Sequence, residues 1–150
     1  MQRWLLIGGA VVLLLLGVGL PTAYHLYKQS RPHPVWLPIP VNPEVPFEQT
    51  DNLIQMLNTK VADRENLMRI GRELGLKEKW EMNSDDEVVD EIVSRFYVKR
   101  GEMDTPMGKL PAIHVGLRGT NRDREISYAM LNALIPDVWK TLGVEPPKKR

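Results

Sequence analysis

The chain contains no cysteine. That excludes disulfides and thiolate chemistry, and it permits an oxidising compartment without requiring one. The signatures of the commoner active sites are missing as well: no GxSxG elbow, P-loop, GxGxxG turn or HExxH helix occurs in the 150 residues. Histidine is sparse. His25, His33 and His114 are too far apart to pair at metal-ligand spacing, so each reads as structural and no metal or other cofactor is expected. No tandem repeat is present, and no acidic residue precedes Glu44, whereas Arg3, Lys28 and Arg31 do. From Phe47 onward acids slightly outnumber bases. A nucleic-acid-binding domain shows a basic excess, so nucleic acid is not an expected partner.

What is present begins with a run of apolar residues. Trp4 to Leu20, WLLIGGAVVLLLLGVGL, carries no charge and includes four consecutive leucines, Leu13 to Leu16. As a helix it would cover roughly 26 Å, slightly less than a hydrocarbon core of about 30 Å. Ala23, Tyr24 and Leu26 can lengthen it, and Trp4 at one end faces Tyr24 and Tyr27 at the other, where aromatic belts lie. The segment reads as a membrane span over residues 1–27 with its short flanks, in contact with lipid. The competing reading is a cleaved secretory signal, for which Gly17-Val18-Gly19 is a weak small-x-small site near the end of the apolar run. Flanking charge does not decide the orientation; an N-terminus in the cytoplasm is favoured, because a short N-terminal span behaves like an uncleaved signal.

Residues 28–46 are rich in proline, at 32, 34, 38, 40, 43 and 46. Proline disfavours helix here. Trp36 to Val41 alternates loosely, so it reads either as an edge strand or as a stiff polyproline-like spacer. Residues 47–145 carry the folded domain. Thr50 or Asp51 can cap a helix whose apolar positions are Leu53, Ile54, Leu57 and Val61. Asp63 offers a second start, with Leu67, Ile70 and Leu74 on one stripe and Gly75 to close it, which gives one bent helix or two short ones.

Ser84-Asp85-Asp86-Glu87 has the capping-box pattern and opens a helix with Val88, Val89, Ile92 and Val93 on its apolar side. The cap accounts for the two aspartates without assigning them acid–base work. Phe96 to Lys99 is aromatic and β-branched and reads as a strand, followed by a loop from Gly101 to Pro111. Ala112 to Arg118 alternates cleanly, with Ile113, Val115 and Leu117 on one face and His114, Gly116 and Arg118 on the other. A helix with Ile126, Ala129, Met130, Ala133 and Leu134 follows; Pro136 kinks or restarts it, and Gly143 closes it. Residues 146–150 form a basic tail.

These pieces predict an α+β class: one N-terminal transmembrane helix, then a small domain of two or three antiparallel strands with helices on one face. Two strands alone would be marginal, so Trp36–Val41 or a second copy of the chain is needed to complete the sheet. One candidate site is an anion site around Arg118, Arg122 and Arg124, where three guanidinium groups surround a turn entering a helix; without a Gly-rich cradle the plainer reading is a solvated surface turn.

The order of pieces resembles the polysaccharide chain-length determinants, or polysaccharide co-polymerases. The resemblance is carried by Leu53 to Val61, by Arg72-Glu73-Leu74-Gly75-Leu76, by the tryptophan in Glu78-Lys79-Trp80, and by Asp86 to Val93 followed by Phe96-Tyr97-Val98. It ends with Ile113 to Arg118, the charged turn Asn121-Arg122-Asp123, and Tyr128 to Leu134. It covers roughly residues 4 to 142. It implies a single-pass protein of the bacterial inner membrane whose domain is periplasmic, acting without enzymatic activity as a homo-oligomeric scaffold beside a polysaccharide polymerase or export proteins. Family members continue into a long helical hairpin and a second span; here those parts are lacking and Pro136 interrupts the helix that would continue. The alternative is a membrane-tethered envelope adaptor that reads a peptide or an anionic ligand.

Overall fold

The computed structural model describes residues 20–144. The expected span over residues 4–19 and the basic tail at 146–150 lie outside the described residues. Among the described residues, no helix is long and apolar enough to cross a membrane.

The elements run α1 (Leu20–Ser30), β1 (Val35–Pro40), α2 (Phe47–Val61), α3 (Arg64–Glu73), α4 (Leu76–Lys79), α5 (Asp85–Arg95), β2 (Phe96–Thr105), β3 (Gly108–Leu117) and α6 (Arg124–Leu142). The three strands form one antiparallel sheet in the order β1-β3-β2. The α+β class is therefore as expected, and β1 is the third strand that two strands alone would have lacked.

Register fixes the two faces. Val35 and Phe96 both pair with Leu117, Leu37 and Val98 with Val115, and Ile39 and Arg100 with Ile113. Side chains alternate along a strand, so these positions share one face. Val35, Ile39, Val98, Ile113, Val115 and Leu117 on it are buried against the helices, which contribute Leu57, Leu67, Ile70, Val89, Ile92, Met130 and Leu134. Each such side chain contributes roughly 1.5–3 kcal/mol on leaving water.

Local chemistry sets most helix ends as expected. Asp63 caps α3 by accepting from the Glu65 N–H at 3.2 Å. Gly75 sits at φ 60° behind α3, a left-handed conformation that glycine adopts without a Cβ penalty. Ser84 Oγ accepts from Glu87 N at 3.2 Å, while the Glu87 carboxylate reaches one residue further back, to Asn83 N at 2.9 Å. Pro136 leaves α6 continuous as a helix, and Gly143 at φ 68° follows its last turn.

Three expectations need correction. The domain boundary at residue 47 moves: residues 28–30 belong to α1, and residues 35–40 take the edge-strand reading of that stretch over the spacer, so the folded unit reaches back ahead of residue 47. β1 is an edge strand, which tolerates Pro38 and Pro40 because an outward-facing donor has no partner to lose. Of the two readings left open for the next stretch, one bent helix or two short ones, the structure takes the second, with the break at Ala62–Asp63. α2 starts at Phe47, a turn before Thr50 and Asp51; Thr50 lies inside the helix, donating to Pro46 O, and Asp51 pairs with Arg100 at 2.7 Å.

The third correction concerns residues 101–111, which are not a loop. β2 and β3 run on to a two-residue turn at Pro106-Met107, with Thr105 paired to Gly108. Gly101 stays in the ladder because the His114 ring lies over it; a Cβ there would come within 2.4 Å of that ring. Pro111 is accommodated because β1 ends at the level of Ala112, leaving that side of β3 open to the Val41 N–H at 3.0 Å.

Candidate functional site

The sheet has a second face, which no helix covers among the described residues. Its positions are Trp36, Pro38 and Pro40 of β1, Tyr97, Lys99, Gly101, Met103 and Thr105 of β2, and Gly108, Leu110, Ala112, His114 and Gly116 of β3. None of these is acidic. Trp36 and Tyr97 both pair across to Gly116, from opposite sides. Glycine is needed there: a Cβ at 116 would meet Val35 O at 2.5 Å and the Tyr97 ring at 2.8 Å. The Tyr97 ring therefore lies over the central strand.

Trp36 stacks on His114 with ring centroids 5.9 Å apart and an interplanar angle of 18°. His114 is held in turn, its Nε2–H donating to Glu102 O at 3.0 Å. The Trp36 side chain remains 49 % exposed, so it is held in place yet accessible.

Two cations complete the face. Lys99 Nζ lies 5.3 Å from the Tyr97 ring centroid, and the Arg118 guanidinium lies 6.0 Å from it, just beyond the end of β3. Neither forms an ion pair with a carboxylate among the described residues, whereas Arg64, Arg69, Arg72, Arg95, Arg100 and Lys109 all do. Burial raises the Tyr97 phenol above its ordinary pKa, with Arg118 pulling weakly the other way, so the hydroxyl stays neutral and available as a donor. Together these side chains border a shallow cleft of about 540 Å³, within the roughly 300–1,000 Å³ typical of ligand sites.

A second cleft, of about 400 Å³, lies between the β1–α2 connection and the β2–β3 hairpin. Its charges are already matched: Arg100 pairs with Asp51 and donates to Phe47 O, and Lys109 pairs with Glu102 at 3.1 Å. A charged ligand finds no free partner among them.

The three arginines expected to form an anion site are directed to different neighbours. Arg118 faces Tyr97; Arg124 lies 5.7 Å from the Tyr128 ring; and Arg122 borders a cleft beside Tyr27 and Trp80. The turn itself has structural work. Asp123 meets Arg95 at 3.1 Å, and Arg95 also pairs with Glu91 and lies over the Trp80 ring. Asp85 and Asp86 have partners as well, Arg72 at 2.7 Å and Arg64 at 2.6 Å.

The same turn receives the end of α1. The last carbonyls of a helix lack intrahelical donors. Here Asn121 Nδ2 donates to Lys28 O at 2.9 Å, Arg122 N to Gln29 O at 3.2 Å, and Asn121 N to Arg31 O at 3.0 Å. His33 N to Gly119 O at 2.7 Å and an isolated bridge between Pro32 and Thr120 continue the seam.

Sequence reasoning singled out His114 and Arg118 on one side of a strand but left out Trp36, Tyr97 and Lys99, which join them only through the pairing of three strands. The legible signal was the parity of β2 and β3: both place their non-apolar ring or cation at alternate positions. Comparison with protein-family models, curated proteins and solved structures yields no match.

Proposed function

We propose that the chain is a membrane-anchored, non-enzymatic scaffold in cell-surface polysaccharide assembly or export, working on the extracytoplasmic side of a bacterial inner membrane as a homo-oligomer. The observation that carries this reading is the joint between α1 and the domain. α1 takes up the last residue of the apolar run, Leu20, and its C-terminal carbonyls are hydrogen-bonded by residues 121 and 122. A helix leaving a bilayer would then set the orientation of the sheet, as a scaffold requires and a domain on a loose tether does not. The ordered resemblance to the chain-length determinants supports the polysaccharide context.

Self-association has an available edge. β1 presents Pro38 and Pro40 at one side of the sheet, which blunt it, whereas β2 is a proline-free strand of 10 residues at the other. The test is the mass of the full-length protein in detergent, together with extraction of membranes at alkaline pH. A retained, alkali-resistant oligomer is expected, and deletion of the protein should alter surface polymer length. A soluble monomer lacking its first two dozen residues would overturn the proposal.

A further inference from the structure

The uncovered sheet face carries an inference about the ligand, and it rests on the scaffold reading only for its choice of saccharide. We infer that this face is a binding site for an acidic polysaccharide, with a sugar ring seated against Trp36 and its carboxylate held between Lys99 and Arg118. The stacking surface is the Trp36 indole, immobilised by His114 at 5.9 Å and still 49 % exposed. A flat aromatic surface of this kind suits the C–H face of a pyranose, with apolar contact on the ring and hydrogen bonding at its edge.

Charge selects the class. Lys99 and Arg118 are held near Tyr97, are matched by no carboxylate among the described residues, and lie on a face without a single acidic strand position. An uncompensated pair of cations attracts an anion, and a guanidinium grips a carboxylate in two-point geometry. The neutral Tyr97 hydroxyl adds a donor at the same place. Beyond the His114 ring, which lies over Gly101, the face continues along the strands to Met103 and Leu110, and none of its strand positions there carries a charged side chain.

The alternative occupant of an aromatic and cationic sheet is single-stranded nucleic acid, whose bases stack on such rings. The slight acidic excess of the domain weighs against it, because nucleic-acid affinity depends on many phosphate contacts. A single uronate seated at the aromatic ring needs only the two cations that this face supplies.

The experiment uses the full chain in an uncharged detergent without a sugar headgroup. Binding of an oligogalacturonate is read by calorimetry and by Trp fluorescence, beside a neutral glucose oligomer and an oligothymidylate of equal length. The expected result is oligogalacturonate binding that weakens with salt, at least about tenfold tighter than the neutral oligomer, a difference of about 1.4 kcal/mol. Trp36→Ala and the double variant Lys99→Gln/Arg118→Gln should each weaken it about tenfold or more. Arg122→Gln/Arg124→Gln, off the face, should leave it unchanged.

The double variant alters exposed side chains only, so its loss of binding does not reduce to misfolding. Absence of oligogalacturonate binding, equal affinity for the neutral oligomer, tighter binding of oligothymidylate, or equal loss in the Arg122/Arg124 variant would each overturn the inference. Because oligomer mass is measured independently, an oligomer that ignores uronate sinks the site alone, and a monomer that binds uronate sinks the scaffold alone.

Discussion

The two faces of the sheet are made by the same strands and differ in almost everything else. The inner face is apolar from Leu117 to Ile113, where Ile113, Val115 and Leu117 are fully buried, and turns charged only at Arg100 and beyond. The outer face is built of rings, glycines and cations, and it is held by stacking rather than by burial: Trp36 on His114, Tyr97 over Gly116, and His114 over Gly101. Alternation of side chains gives a strand two independent surfaces. One can be spent entirely on stability, which leaves the other free to be shaped for contact.

The comparison is broken most directly from the inside. Ile113→Ala should cost about 2–5 kcal/mol, because it removes a buried side chain and leaves a cavity; urea denaturation of the detergent-solubilised protein measures it. Gly116→Ala comes next, at about 1–3 kcal/mol, because its methyl would press on the backbone oxygen of Val35 and on the Tyr97 ring. It should also splay the outer rings, so uronate affinity falls together with stability. That one position alone should couple the two faces.

Smaller effects sharpen the contrast. Arg95→Ala, which removes a half-buried guanidinium from Glu91, Asp123 and Trp80 together, should cost about 1–3 kcal/mol and leave uronate binding intact. Trp36→Ala should cost only about 1 kcal/mol of stability while removing most of the binding, a separation that no inner-face substitution should reproduce.

The smallest effect is one of pH. The raised pKa of Tyr97 means that its phenol ionises in the unfolded chain before it does in the folded one. The corresponding stability is present below the ordinary tyrosine pKa of 10.0 and is lost as pH rises through the folded value. Tyr97→Phe should therefore lose less stability than the wild type on passing into alkali. Thermal unfolding of the two proteins across that range would show equal slopes if Tyr97 were fully solvated.

Much of the inner architecture was legible in the sequence. Asp63, Ser84, Gly75 and Gly143 mark chain ends through interactions a few residues long, and the alternation of Ile113, Val115 and Leu117 names the core side of β3. Reasoning from local rules misplaced the segments where a long-range contact overrides them. Gly101 and Pro111 look like loop residues until His114 covers one and the end of β1 frees the other. The prolines of residues 28–46 leave spacer and edge strand both open until β1 is seen to pair with β3. Asp51 looks like a cap until Arg100, in β2, claims its carboxylate.

The candidate site divides in the same way. Its residue types could be read one by one, but the grouping of Arg118 with Arg122 and Arg124 followed chain proximity, whereas in space Arg118 belongs with Tyr97, Lys99 and Trp36.

By itself the sequence determined the apolar run at residues 4–20, the α+β class, the helix caps and the inward face of β3, because each depends on composition or on neighbours within a turn or two. The tertiary structure alone decided that Trp36, Tyr97, Lys99, His114 and Arg118 share one surface, and that Asn121 caps α1. These groups stand up to 93 positions apart, and only the pairing of strands and the return of the chain past α5 bring them within contact distance.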